Sequence, residues 1–172
     1  VNVAEPPPAP GNVPRTPIQI AHLALLSTLW SYWDRKRAGR AMPRRSEIAP
    51  YEIPALLPNI AMVDRTADGR FRYRLMGTAV AQAYGFDATG KCLDEVFKGP
   101  RLSGGNHHCS MVFESGRPLI AKTKYLSSFG VQYTATRLAL PLADESLRVG
   151  VLMIGNIFVR DTQSPISFGD PA

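Results

Sequence analysis

Apolar and polar residues alternate along residues 70–76, and this two-residue period predicts a strand with one buried face and one polar face. Asp68-Gly69 comes just before it and is a strong signal for a two-residue hairpin turn. The turn connects this strand to a first strand predicted over Asn59–Thr66. The alternation assigns six side chains: Phe71, Tyr73 and Leu75 to the apolar face, and Arg70, Arg72 and Arg74 to the polar face.

Short helices are predicted in the middle of the chain. Thr78 can cap a helix that stops at Gly85, and residues 92–97 form a further helical turn. Asn106 can cap a longer helix over His107–Ser115, which Gly116 ends. Three β-rich segments follow, separated by a glycine and by a loop at residues 143–146, and cover residues 119–129, 132–142 and 149–159.

The N-terminal part of the chain has a different pattern. Residues 1–17 hold six prolines and little that can pack, so we expect a disordered leader. A helix follows over 18–38, with Gly39 as its C-cap. The tail over 161–172 is polar and is expected to be loose. Apolar residues at spacings of three and four form one stripe on the helix over 18–38, namely Leu23, Leu26, Trp30 and Trp33.

The order of elements predicts the fold class. A helix, two strands, several short helices and three strands indicate an α+β domain with a five-stranded antiparallel sheet. The short helices lie on one face of this sheet, in addition to the N-terminal amphipathic helix. The organisation is then a leader over 1–17, a helix over 18–40, the sheet domain over 41–160 and the tail over 161–172.

Composition narrows the class of protein. The 172 residues are 45% apolar and 20% charged, which is typical of a globular chain. Two cysteines without a CxxC spacing suit a reducing compartment, so we expect a cytoplasmic protein. No apolar run reaches the ~20 residues that a membrane span needs. The net charge of +6 permits nucleic-acid binding, but the one dense basic run, over 35–45, is better explained as a solvated face.

Several motifs together resemble a known family. The segments LWSYWDRKRAGRAMPRRSEIAPYEIPALLPNI (29–60), FRYRLMGTAV (71–80), YGFDATGK (84–91) and ESGRPL (114–119) resemble bacterial PAS-like domains that often stand alone. The resemblance covers roughly 25–158 and implies a sensory or protein-interaction module, without implying one particular ligand. The chain departs from the family pattern at Ser103-Gly104-Gly105, which is expected to shorten the long helix or loosen the mouth of a pocket.

The resemblance also implies where a ligand would bind. In PAS folds the helix after Asn106 lines an internal cavity, together with the last strands. A cofactor is not expected, although His108 could contact a haem. A metal is not expected either, because adjacent helical residues such as His107, His108 and Cys109 point about 100° apart. The candidate pocket residues are Tyr73, His108, Cys109, Val112, Tyr125, Tyr133 and Met153.

Three further residues have simple structural interpretations. Cys92 and Cys109 are expected to be small buried apolar side chains, since nothing in the sequence fixes a charge beside them. Arg137 lies on the strand face that also holds Tyr133, Ala135 and Ala139. We interpret that face as solvent-exposed; if it is buried instead, the arginine needs an anionic partner from the protein or from a ligand.

The N-terminal helix has a broader apolar stripe than one surface requires. It can lie across the open face of the sheet, or pair with the same helix of a second chain. The second option is the preferred hypothesis, with Leu23, Leu26, Trp30 and Trp33 at the dimer contact. We therefore expect a non-catalytic sensor with a homodimer contact, a signalling protein partner and a possible small-molecule ligand. The alternatives are a small-molecule-processing enzyme on a cupped α+β scaffold and a basic nucleic-acid-associated regulator.

Overall fold

The structure is a computed structural model, and it describes residues 17–127 and 130–160. For residues 17–22 and Tyr125 it describes the backbone but not the side chains. The predicted loose tail and all but the last residue of the predicted leader lie outside the described residues.

The secondary structure follows the predicted order. Three short 3-10 segments, Arg45–Glu47, Pro50–Glu52 and Pro54–Asn59, connect the first helix to the first strand. The main elements are α1 (Pro17–Arg37), β1 (Ile60–Arg65), β2 (Phe71–Met76), α2 (Thr78–Tyr84), α3 (Leu93–Val96), α4 (Gly99–Ser115), β3 (Leu119–Leu126), β4 (Gln132–Ala143) and β5 (Val149–Arg160).

The five strands form one antiparallel sheet in the order β2-β1-β5-β4-β3. A hairpin at Asp68-Gly69 is confirmed, but the predicted two-residue turn is wrong. Thr66 N–H donates to the carbonyl of Arg70 at 2.8 Å and Gly69 N–H donates to that of Thr66 at 2.9 Å, so the loop has three residues, Ala67 to Gly69, and Gly69 has a φ of 85°. The α+β class with a five-stranded antiparallel sheet is therefore confirmed. β5 lies at the centre of the sheet, between β1 and β4.

Each face of the sheet has its own apolar core. Helices α2, α3 and α4 pack on one face, around Val80, Leu93 and Val112. Helix α1 and the 3-10 segments cover the other face. Adjacent residues of β5 belong to different cores, since Leu152 faces α4 and Met153 faces α1. Both faces of the central strand are thus buried.

Helix α4 begins earlier than the sequence predicted. It starts at Gly99 rather than at His107, after an extended Lys98 and with Pro100 in its first turn. The glycine pair lies inside the helix, so the expectation that it shortens the helix is wrong. A Cβ atom added to Gly105 would lie 3.1 Å from Leu93 Cδ2, which indicates that this glycine permits close packing of α3 on α4.

A β-bulge changes the predicted alternation in β2. Met62 pairs with Leu75 and Val63 pairs with Tyr73, so Arg74 is an additional residue on this strand. The residues after the bulge change face. Leu75 is consequently 47% exposed while Met76 is buried, and the prediction that Leu75 shares the apolar face is wrong.

Helix α1 lies across the sheet. Leu26, Leu29 and Trp33 are buried against it, and the indole Nε1 of Trp33 donates to the carbonyl of Pro141 at 2.9 Å. Leu23 and Trp30 are 46% and 41% exposed. The predicted stripe is therefore divided: Leu26 and Trp33 pack against their own sheet, whereas Leu23 and Trp30 remain exposed. No helix in the described part of the chain is both long and apolar enough to cross a bilayer.

The close contact between α1 and β5 gives a testable prediction. A Cβ atom at Gly155 would lie 2.5 Å from Leu29 Cδ2 and 3.0 Å from Leu26 Cδ2. Because both leucines are buried, we expect Gly155→Ala to lower the free energy of unfolding by about 1–3 kcal/mol, as measured by urea denaturation.

Gly104→Ala is the matched control, because no heavy atom lies within 4 Å of the position that its Cβ would occupy. Alanine is the better helix former, so this variant should gain up to about 1 kcal/mol. Equal effects of the two substitutions would contradict the close packing of α1 on β5.

Candidate ligand cavity

A cavity of about 60 Å³ lies between α4 and the sheet. Strands β1, β4 and β5 supply an apolar floor, and α3 and α4 supply the opposite wall. Polar groups enter it from α2, α4 and β4. The residues that carry them are Tyr84, Arg101, His108 and Arg137.

Three of the predicted pocket residues line this cavity, namely Tyr73, His108 and Cys109. Val112 is fully buried in the core on the same side of the sheet, and Tyr133 packs against that core. The side chain of Tyr125 lies outside the described part of the structure. The prediction for Met153 is wrong, because strand alternation places this residue on the face that α1 covers.

Arg137 is directed into the cavity, and its predicted exposure to solvent is wrong. Its Nη2 donates to the hydroxyl of Tyr84 at 3.0 Å, and its Nη1 donates to Thr123 Oγ1 at 3.1 Å. Ala135 and Ala139, which share its strand face, are buried. This shared face was the signal in the sequence that could have identified the arginine as part of the site.

Arg101 is a second cationic residue of the cavity that the sequence analysis missed. Its guanidinium carbon lies 4.0 Å from the ring centroid of Phe97 and 4.6 Å from that of Tyr84. Stacking of this kind orients the planar guanidinium group. The residue was overlooked because the predicted helix began six residues after it.

An open cleft of about 500 Å³ adjoins the cavity on its outer side. Arg101, Gly105 and Arg137 line both the cavity and the cleft. The two arginines therefore stand where the cavity opens towards the cleft. Lys98 and Lys124 contribute two further cationic side chains to the cleft wall.

Comparison with known proteins agrees with this architecture. The sequence profile of the PAS domain matches residues 22–157. This chain belongs to the PAS domain family. None of the curated protein sequences matches it.

Solved structures of similar fold include light-oxygen-voltage (LOV) domains. One, studied with a flavin analogue, is 12% identical, with a TM-score of 0.51 over 63% of this chain and 82% of that chain. The LOV protein of Rhodobacter sphaeroides is 10% identical, with a TM-score of 0.48 over 63% and 66% of the two chains. The light-state Aureochrome1 LOV domain is 10% identical, with a TM-score of 0.45 over 63% and 86%. At 12% identity, the likeness to the first of these structures shows a common fold.

Burial governs the ionisation of the side chains in the cavity of this PAS domain. Desolvation raises the pKa of Cys109 to about 12, and it also raises the pKa of Tyr73 well above its usual value. The pKa of His108 is lowered, first by desolvation and then by the positive charge of Arg137. At neutral pH these three groups are uncharged, so they add hydrogen-bonding capacity but no charge.

One group of side chains in this PAS domain lies close enough together to share a metal ion, among the residues that the structure describes. In the described part of the chain, the side chains close enough to share an ion are Cys92, Asp94 and Glu95. Glu95 already accepts a hydrogen bond from the backbone N–H of Cys92 at 2.6 Å, and Asp94 lies 3.6 Å from Arg70. His107, His108 and Cys109 form no such group among the described residues.

The basic run after α1 forms ion pairs with acidic residues of the same domain. Lys36 contacts Glu52 at 2.7 Å, and Arg40 contacts Glu47 at 2.9 Å. Arg37 contacts Asp34 at 2.7 Å. The positive charge of the run is thus partly compensated within the domain.

Burial of the two cysteines predicts low thiol reactivity. Both are buried, and desolvation raises the pKa of each, to about 12 for Cys109. Because the thiolate is the reactive form, we expect alkylation of the native protein at pH 8 to be at least about a hundredfold slower than in urea. Mass spectrometry of peptides after timed exposure to iodoacetamide measures both rates. Labelling of native Cys109 at the rate of the unfolded chain would contradict the buried placement.

Proposed function

We propose that this PAS domain is a sensory module that binds a small ligand in the cavity behind α4 and acts through contacts with other protein chains. The observation that carries the proposal is the cavity between α4 and the sheet. Its floor is apolar, and a few polar groups converge on it from separate elements, which is the usual make-up of a small-molecule site. Membership of a family that is typically sensory supports the same conclusion.

The volume of the cavity limits the ligand. Sites for drug-sized molecules and cofactors span about 300–1,000 Å³, and benzene occupies an engineered cavity of about 150 Å³. The cavity here measures about 60 Å³. Neither the haem considered from the sequence nor a flavin like that of the LOV domain studied with an analogue fits it. The ligand is therefore a compound of few heavy atoms, of which part can extend into the outer cleft.

A second copy of the chain is the partner that the exposed side of α1 suits best. Leu23, Trp30 and Ile120, together with Pro118, border an apolar groove of about 600 Å³ between α1 and β3. Trp30 stacks on the buried Trp33, with ring centroids 5.5 Å apart, which limits its mobility. The exposed ring of Trp30 therefore lies beside an apolar groove on the same surface. A self-complementary pair of this kind suits a two-fold contact.

Strand β4 connects the two sites directly. Arg137 lines the cavity, and the next residue, Leu138, faces the groove on the other side of the sheet. A ligand that shifts this part of β4 would also shift the floor of the groove below Trp30. This connection is a proposed route for the signal from the ligand to the dimer contact.

The two alternative functions have less support. The pKa of about 12 at Cys109 leaves it protonated at neutral pH, so it is a poor nucleophile. An enzyme would need another acid–base pair. The ion pairs of Lys36, Arg37 and Arg40 compensate the charge on which a nucleic-acid contact would depend.

Filling the cavity tests ligand binding. A compound from a library of small neutral, anionic and cationic molecules should raise the melting temperature of the native protein by mass action. Ala139→Leu places a larger side chain in the cavity, so we expect it to weaken binding of the same compound at least tenfold by calorimetry. Ala121→Leu serves the same purpose from β3 if the first variant does not fold.

Leu147→Glu is the control, because Leu147 is exposed in the loop between β4 and β5 and should leave binding unchanged. If no compound of any class stabilises the native protein, the proposed ligand site is wrong.

Substitution of Trp30 tests the dimer. Trp30→Glu places a charge beside the groove between α1 and β3. We therefore expect the dissociation constant of the dimer to rise at least tenfold in sedimentation equilibrium. Leu147→Glu again serves as the control, since it adds the same charge at another exposed apolar position. A native protein that is monomeric at all concentrations would contradict the proposed dimer.

A further inference from the structure

We infer that a second pocket, between the β1–β2 hairpin and helices α3 and α4, binds an α-amino acid with an aliphatic side chain. The pocket measures about 240 Å³ and is separate from the cavity behind α4. Among the described residues, Leu93 alone lines both. The inference goes beyond the proposed function and does not depend on the ligand of the cavity.

The pocket brings together polar side chains whose hydrogen-bonding capacity the described residues leave unused. They come from β1, α3 and α4, and they are Arg65, Asp94, Asn106 and Ser110. Asn106 and Ser110 are four residues apart on α4, so they lie on one face of this helix. Within the described part of the chain their side chains make no hydrogen bond, and Asp94 Oδ1 is buried without a hydrogen-bond partner. Water or a ligand usually satisfies such groups.

Arg65 supplies a positive charge with free donors. Its Nε donates to the carbonyl of Gly69 at 3.3 Å, and its guanidinium carbon lies 5.7 Å from the ring centroid of Phe71. These contacts hold the guanidinium beside the pocket but involve neither Nη atom. Arg65 forms no ion pair with a described residue, unlike Arg70, which contacts Asp68 at 2.8 Å. The Nη atoms of Arg65 can therefore bind a carboxylate, whose two oxygens match the planar fork.

The wall of the pocket carries opposite charges side by side. Asp94 Oδ1 lies 3.6 Å from Arg70 Nη1, which is too long for a hydrogen bond. The side chains of Arg70 and Asp94 are 47% and 42% exposed. The cations come from the hairpin and the anion comes from α3. A simple anion is repelled by Asp94 and a simple cation is repelled by the arginines, so a ligand that carries both charges suits the pocket better than either.

An α-amino acid has this distribution of charge, because its ammonium and carboxylate groups are bonded to the same carbon atom. Its carboxylate pairs with Arg65 and Arg70, while its ammonium group pairs with Asp94. The ammonium has three N–H donors, and the amide oxygen of Asn106 and the hydroxyl of Ser110 can accept two of them. Each charged group of the ligand then has a partner of opposite charge in the pocket.

The size of the pocket limits the side chain of the amino acid. Since benzene occupies a cavity of about 150 Å³, a pocket of about 240 Å³ accommodates on the order of ten heavy atoms. Phe71 and Leu93, both buried, form its apolar base. An aliphatic side chain such as that of leucine fits this volume and this base.

Titration of the full chain with leucine tests the inference. Isocaproate has the carbon skeleton of leucine without the ammonium group, and isoamylamine lacks the carboxylate. Dissociation constants are measured by NMR chemical shifts at constant ionic strength and neutral pH. We expect leucine to bind at least tenfold more tightly than either compound and to shift the resonances of the β1–β2 hairpin, because it alone satisfies both charges of the pocket. Equal binding of leucine and either single-charge compound would overturn the inference.

Two substitutions remove one charge each from the pocket. Asp94→Asn and Arg65→Gln should each weaken leucine binding at least tenfold. Glu145→Gln and Arg45→Gln are the matched controls, since they remove the same charges from exposed positions that do not line the pocket. Circular dichroism establishes which variants are folded, and either pocket variant decides the outcome if the other does not fold.

Substitution in the cavity separates this inference from the proposed function. Ala139→Leu, or Ala121→Leu in its place, fills the cavity behind α4 and should leave leucine binding unchanged. Loss of leucine binding in this variant, with unchanged binding in Asp94→Asn and Arg65→Gln, would place leucine in the cavity; it would overturn the second pocket and support the proposed function. If the native protein binds neither leucine nor valine nor methionine, the inference is wrong and the cavity behind α4 is unaffected.

Discussion

Strand β5 has to bury both of its faces, and the rest of the domain is arranged around this constraint. It lies at the centre of the sheet, with α4 over one face and α1 over the other. Leu152 and Met153, adjacent in sequence, belong to opposite cores. Gly155 lets α1 approach closely, and the bond from Trp33 to the carbonyl of Pro141 fixes the helix against β4. A sheet covered in this way separates the cavity on one face from the apolar groove beside α1 on the other by one strand layer.

The arginine in the sheet is the costly element of this arrangement. Moving a charged group out of water is unfavourable unless hydrogen bonds and opposite charge compensate for it. Hydroxyl groups of Tyr84 and Thr123 compensate for part of the cost at Arg137. Arg101 stacks on the ring of Tyr84, which places a second cationic side chain beside Arg137. An aliphatic side chain at this position would fill the same space without a charge.

Elements with strong local signals were predictable from the sequence. The position of the hairpin at Asp68-Gly69 and the alternation from Phe71 to Tyr73 depend on neighbouring residues only, and both agree with the structure. The start of α4 was not predictable, because Gly104 and Gly105 are poor helix formers whose place in the helix depends on packing against α3. The exposure of Leu75 depends on a bulge that is defined by pairing with β1.

The site shows the same division between local and non-local information. Tyr73, His108 and Cys109 were found because the family resemblance places their elements around a cavity. Successive side chains of β4 and β5 point to opposite faces of the sheet, so a wrong choice of the inward face assigns a residue to the wrong side. Met153 and Arg137 were misassigned in this way. The chemistry of the cavity depends on Tyr84, Arg101 and Arg137, which come from three separate elements. Their convergence is a property of the tertiary structure, so it could not be predicted from any one segment of the sequence.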